Sequence, residues 1–294
     1  MNVLVTGAAG FLGACIAERG AQAGHNVWAV ARGGLPDFLS KLQNIECLTC
    51  DLAGATPNAK KLDLIIHCAA AIPSREPDPE KVYSHNLAMG EAIIRCARQS
   101  AAPVIVNMSS MSAFGPLDGG EVTETTPANP QDPYGKAKLA VEGLIEDWSR
   151  ETGGAAVSMR LPGMVGARSH ANFMSGLAEK LIRRETVRAV NPDGRFNNIV
   201  YGYDLAAFLI ERAGGFPEGH KVLTIAADEI VSVREAVERV AEAAAAPLDL
   251  ISFDTAPRQP FIIRFEEIQA LGYRPASVVG SIDRFVRDKR ALAK

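Results

Sequence analysis

The chain has 294 residues, 47% of them hydrophobic and 22% charged, with a formal net charge of -3. That is enough apolar mass for a full core, and it excludes disordered and fibrous classes. No Lys/Arg run supplies a field for nucleic acid or an anionic membrane, and no apolar stretch is long enough for a membrane helix, so neither partner is expected. With the first strand-like run beginning at Asn2, a signal peptide has no room and a cytoplasmic protein is expected.

Taken in chain order, six short apolar runs recur: NVLVTG, NVWAVA, IECLTC, LDLIIHCAA, PVIVNMSS and AVSMRLP. Each reads as a strand buried on both faces. Helical stretches separate them at 10–23, 79–99 and 133–150, and this alternation predicts an α/β fold with a doubly wound parallel sheet (Rossmann type). Beyond residue 165 the alternation weakens. Residues 1–165 are therefore expected to form a nucleotide-binding domain and 166–294 mainly a smaller substrate lobe, with part of 198–214 returning to the Rossmann layer.

The five cysteines, Cys15, Cys47, Cys50, Cys68 and Cys96, are odd in number and lie mostly in apolar runs, which predicts reduced, buried thiols. Cys47 and Cys50 form a C-x-x-C without a second ligand pair, and the five histidines are scattered, so no metal site is expected.

The first strand runs into TGAAGFLG at 6–13. Between a strand and a helix, Gly7 permits the tight turn, Gly10 lets a pyrophosphate approach the backbone, and Gly13 lets the helix pack on the strand. Ala9, Phe11 and Leu12 complete this loop, and a dinucleotide is its natural ligand. Further along, QDPYGKAK places Tyr134 and Lys138 one turn apart on a helix that Asp132 can cap and Pro133 can open. An ammonium near a phenol favours its phenolate, the form that acts as a base.

The spacing T-G-x-x-G-x-x-G, together with Tyr-x-x-x-Lys downstream of the serine-bearing NMSSMSAFG, resembles the extended branch of the short-chain dehydrogenase/reductase superfamily. The resemblance implies that Ser110 holds the reacting oxygen, with Ser109 its easily confused neighbour, that Tyr134 exchanges the proton, and that Lys138 also binds the nicotinamide ribose. It implies cofactor contacts from Asp51 and Leu52, from Cys68, Ala69 and Ala70, from Asn86, and from Pro162 and Gly163. Phe114, Met164 and Tyr201 are expected to line an apolar cleft beside the nicotinamide.

Three departures from the family pattern bear on function. Ala31 and Arg32 stand where an acidic residue normally takes the adenine ribose, which favours NADP while leaving NAD open. The dehydratase signature T-D-E is missing, and Arg195 lies two residues before the arginine that grips a nucleotide-sugar diphosphate in many epimerases. The reading is an NAD(P)-dependent oxidoreductase acting on a carbonyl or alcohol carbon of a nucleotide-linked sugar, first a 4-keto reductase. An NAD-retaining epimerase and a non-catalytic NADP-binding protein are the alternatives, and a homodimer is left open.

Overall fold

The computed structural model describes residues 1–292. They fall into two compact units, the first made of Met1–Pro116, Pro127–Arg160 and Ala206–Leu223. The second comprises Leu117–Thr126, Leu161–Leu205 and the described residues from Thr224 onward.

The first unit is built on a seven-stranded parallel sheet, with strands β1 (Asn2–Thr6), β2 (Asn26–Ala31), β3 (Ile45–Thr49), β4 (Leu64–His67), β5 (Val104–Ser110), β6 (Ala155–Leu161) and β7 (His220–Thr224). Their order across the sheet is β7-β6-β5-β4-β1-β2-β3. The chain winds outward from β1 in one direction, then crosses to β4 and winds in the other, so the order reverses between β1 and β4. The carboxyl ends of strands at such a reversal leave a crevice between diverging connections, the usual ligand position in open α/β sheets. The β1–β4 register sets Thr6 opposite His67 there.

Three long helices flank the sheet: α1 (Phe11–Gln22), α2 (Pro79–Ser100) and α3 (Pro133–Thr152). α2 and α3 each begin with an aspartate cap and a proline in the first turn, and each ends on a residue in the left-handed region, Ala101 and Gly153. They approach closely because α2 carries Gly90, where a Cβ would lie 2.8 Å from a methyl of Val141 on α3. Leu4, Ile65, Ile93, Ile105, Val141 and Trp148 form the core between this helical pair and the sheet.

Two expectations change. β3 is not buried on both faces: it is the last strand of the sheet, and Cys47 on it is exposed. Cys50 and Cys68 are partly exposed, while Cys15 and Cys96 are buried. The other edge strand, β7, begins with His220 and Lys221 and ends on Thr224, too polar a run to announce itself in the sequence.

In the second unit the helices Phe173–Ile182, Val233–Ala244 and Val278–Leu292 share a core containing Leu177, Leu181, Val237, Val240, Ile282 and Phe285. Val233–Ala244 starts at a capping box in which Ser232 and Glu235 satisfy each other's backbone amides. No helix among the described residues is long and apolar enough to cross a membrane.

Glycines at two positions give stability tests of opposite sign. A Cβ at Gly13 would lie 2.3 Å from the Gly7 carbonyl oxygen, so Gly13→Ala should cost about 1–3 kcal/mol. Gly143, inside α3, has open space around its Cα, and Gly143→Ala should add about 0.4–1 kcal/mol. Urea denaturation of both variants beside the parent checks the pair.

Candidate active site

The turn after β1 is shaped by its glycines. Gly7 has φ of +66°, the left-handed region, and a Cβ there would lie 2.8 Å from the amide nitrogen of Ala69. The end of β1 therefore touches the segment that follows β4. The Gly10 amide donates to the Gly7 carbonyl at 2.8 Å. Gly10 is also the N-cap of α1, and no side chain caps that end of the helix. Ala9 is exposed, and Gly10, Phe11 and Leu12 are partly exposed. A Cβ at Gly10 would meet only the Gly7 carbonyl, at 3.1 Å. An uncapped helix N-terminus with backbone amides facing open space fits a pyrophosphate, which would supply the missing acceptors.

A buried polar pair locks the β1 and β4 ends together. The Thr6 Oγ1 accepts from the amides of Cys68 and Ala69, each at 3.1 Å, so its own proton goes to His67 Nδ1 at 2.8 Å. That fixes the neutral Nε2-protonated tautomer of His67. Burial, with the Lys138 charge adding to it, pushes the imidazole down to about 3. Asn86 performs a similar task one step along: its amide pairs with both backbone groups of Ala71, at 3.2 and 2.8 Å, and also donates to Val82. Its polar atoms thus hold the loop that contains Cys68, Ala69 and Ala70.

At the far side of the sheet, Arg32 and Asp51 are exposed just past β2 and β3, and Leu52 is buried beneath them. Asp51 accepts from the Ala53 amide at 3.3 Å. Pro162 and Gly163 belong to the second unit, as do Met164, Arg195 and Tyr201, whereas the other candidate residues lie in the first.

Serine, tyrosine and lysine converge where β5 meets α3. Asp132 accepts from the Gly135 amide at 2.9 Å and starts the helix. Gly135 lets it start close: a Cβ there would lie 2.3 Å from the Ser112 carbonyl oxygen in the 3-10 turn Met111–Phe114 that follows β5. Tyr134 consequently lies near Ser110, whose hydroxyl acts on the phenol. Ser110 Oγ also accepts from the Ser112 amide at 3.1 Å. Lys138 is buried, donates to the Met108 carbonyl at 2.8 Å, and lies 5.6 Å from the centroid of the Tyr134 ring.

The two titratable groups are shifted in opposite directions by the same cause. Burial pushes the Tyr134 phenol up to about 12, against the pull of the Ser110 hydrogen bond. It pushes Lys138 down to about 8, while Cys68 and Glu142 support the ammonium. Without cofactor the phenol therefore holds its proton: desolvation outweighs the phenolate-favouring effect expected from the sequence.

Ser109 and Ser110 separate cleanly. Ser110 meets Tyr134, while Ser109 donates to Glu142, which a bidentate Arg160 also holds. Sequence reasoning missed Glu142 and Arg160, although Glu142 is one turn past Lys138 on the same stripe of α3 and Arg160 is a lone charge in the apolar run of β6. Phe114 and Tyr201 are both buried, and Met164 is half-buried in the strand Gly163–Val165. Phe114 is buried under the Arg160 guanidinium, 4.3 Å from its ring centroid, and Tyr201 lies in the second unit's core, with its hydroxyl donating to Asp288 and Arg284 over its ring. Arg195 is exposed and 3.8 Å from Glu121.

The sequence profile of the NAD dependent epimerase/dehydratase family matches residues 3–201. The chain belongs to this family. It is an NAD(P)-dependent enzyme of the extended short-chain dehydrogenase/reductase class, which sets aside the non-catalytic reading. Among relatives, the UDP-glucose 4-epimerase of Streptomyces lividans is 25% identical over 289 residues, 88% of this chain and 86% of that protein. A decarboxylating sterol-4-alpha-carboxylate 3-dehydrogenase of Dictyostelium discoideum is 28% identical over 191 residues, 61% of this chain and 58% of that protein. Among solved structures, MoeE5 in complex with UDP-glucose and NAD superposes with a TM-score of 0.84 at 24% identity, covering all of both chains. This member of the epimerase/dehydratase family shows no cluster of three or more metal-ligating side chains among its described residues.

His67 gives the enzyme a pH dependence. It stays neutral in the fold down to about 3 but takes a proton near 6.5 when unfolded, so the unfolded state binds more protons between those values. Stability should fall as pH drops from about 6.5 toward 3. Urea denaturation at pH 7 and 4.5 should show a smaller loss in His67→Gln than in the parent.

Proposed function

We propose that the enzyme is an NAD-retaining 4-epimerase of a nucleotide-linked sugar, with Ser110, Tyr134 and Lys138 as its catalytic residues. The observation that carries this reading is the convergence of Ser110, Tyr134 and a buried Lys138 where β5 meets α3, in a chain whose relatives of greatest coverage include UDP-glucose 4-epimerases. Between the two enzymatic readings open at the sequence level, these relatives favour the epimerase over the 4-keto reductase. The absence of a T-D-E signature speaks against elimination.

Bound nicotinamide supplies a hydride acceptor and donor. The chain supplies the proton chemistry. Tyr134 Oη takes the proton of the sugar hydroxyl and returns it, so one group serves as base in oxidation and acid in reduction. Ser110 hydrogen-bonds the same sugar oxygen and keeps it within reach of the phenol. Lys138, held by the Met108 carbonyl, adds a positive charge that lowers the work of forming the phenolate and donates to the ribose. The TGAAGFLG turn takes the pyrophosphate on the amides at the start of α1, and Asp51 and Leu52 face the adenine end.

The assay follows from this assignment. UDP-glucose and UDP-galactose should interconvert in the presence of NAD without net NADH formation. Tyr134→Phe removes only the hydroxyl, so kcat should fall by about 10²- to 10⁴-fold while NADH affinity is kept. Parental turnover in that variant would overturn the role given to Tyr134.

The cofactor in this proposal is NAD. The case for NADP rests on the neutral Ala31 and on Arg32, which is exposed past the end of β2 where a guanidinium suits a 2'-phosphate. Fluorescence titration should find NADH bound at least as tightly as NADPH. An NADPH preference that disappears in Arg32→Ala would restore the 4-keto reductase as the better reading.

A further inference from the structure

Three consecutive residues of β5 meet three successive turns of α3. The Met108 carbonyl accepts from Lys138, Ser109 donates to Glu142, and Ser110 lies near Tyr134. The middle contact is part of a buried cluster that the proton chemistry does not use. Glu142 is 3% exposed and Arg160 is 5% exposed. Arg160 Nε and Nη2 donate to the two oxygens of Glu142 at 3.1 and 2.7 Å, and the guanidinium lies over the Phe114 ring. Phe114 closes the turn whose Ser112 amide donates to Ser110 Oγ.

Burying two opposite charges is an inefficient way to hold a helix on a sheet, because an apolar pair of similar volume does so as well or better. What the ion pair adds is direction. A helix attached to a strand at one polar contact can still roll and slide about it; attachment at a second point, two turns away, removes that freedom. Glu142 makes the attachment farthest from Tyr134, one turn beyond that of Lys138, and Arg160, anchored in β6, fixes where its carboxylate lies.

We propose that Glu142, held by Arg160 and Ser109, is a positioning residue that sets the phase of α3 against β5 and so keeps the Tyr134 and Ser110 hydroxyls on one oxygen of the substrate. The proposal rests on the roles given above to Ser110, Tyr134 and Lys138. A charge effect accompanies it: Glu142 supports the Lys138 ammonium, which also faces Cys68, His67 and the Tyr134 ring, while Arg160 and His220 lie near Glu142 itself.

The test compares Ser109→Ala and the double variant Glu142→Met/Arg160→Met with the parent and with Tyr134→Phe, using melting temperature, NADH titration and the UDP-glucose interconversion assay. The double variant replaces the charges by apolar side chains and should melt close to the parent. Its kcat should nevertheless fall by about 10²-fold with KM little changed, since a misplacement of about 1 Å in the reacting groups has that effect. Ser109→Ala should lose kcat several-fold at unchanged NADH affinity. A well-folded double variant with parental kcat overturns the proposal, and where the double variant does not fold, parental kcat in Ser109→Ala does so.

Failure of the function reading is separately visible as a parent inactive on UDP-glucose or a fully active Tyr134→Phe. In that case the crystal structure of the double variant decides, or that of Ser109→Ala where the double variant does not fold. Displacement of the Tyr134 hydroxyl relative to Ser110, compared with the parent crystal structure, supports the positioning role, and an unchanged position overturns it.

Discussion

The constraint on which the site depends is the attachment of one face of α3 to the end of β5. Tyr134, Lys138 and Glu142 recur every four residues, so all three side chains leave the helix on one stripe. On an ordinary surface helix such a stripe would be solvated. Here it is turned inward, and each polar group must find a partner, because a buried polar group without one costs roughly 1–3 kcal/mol or more. The backbone and side chains of 108–110 supply those partners in order. Burial then raises the phenol and lowers the ammonium, bringing two groups with ordinary values near 10 to about 12 and about 8.

Close approach makes this attachment geometrically available. Gly135 admits the Ser112 carbonyl to the first turn of α3, and Gly90 admits Val141 further along. The cofactor end uses the same device, with Gly7 against Ala69 and Gly13 against Gly7. At Gly135, Gly7 and Gly13 the missing Cβ lets two backbones meet at a distance no other residue permits, and at Gly90 it makes room for a valine methyl. The Thr6–His67 and Asn86–Ala71 contacts then hold the loops that these approaches define. Positions that a resemblance assigns to cofactor contact thus divide into those that present backbone toward open space, such as Gly10, and those that hold the presenting loop, such as Asn86.

Much of the fold was legible because its signals are local. Apolar runs with glycine and proline punctuation mark six of the seven sheet strands, and the Asp-Pro starts of α2 and α3 fall at Asp78 and Asp132. β7 and the exposed face of β3 were not legible in this way. Both are edge strands, and whether a strand lies at an edge depends on which neighbours it acquires across the sheet, which its own residues do not record.

The sequence by itself determined the doubly wound sheet, the glycine turn and the i, i+4 phase of Tyr134 and Lys138, because periodicity and turn chemistry act within a few residues. It put Ser110 ahead of Ser109 only by resemblance, and did not reveal that Ser109 joins Glu142 and Arg160. Those contacts span 33 and 18 residues, and their partners are chosen by the packing of α3 on the sheet. Tertiary structure alone also decided which ionisable groups lost their water. That is why the protonation of Tyr134, Lys138 and His67 follows from burial rather than from residue type.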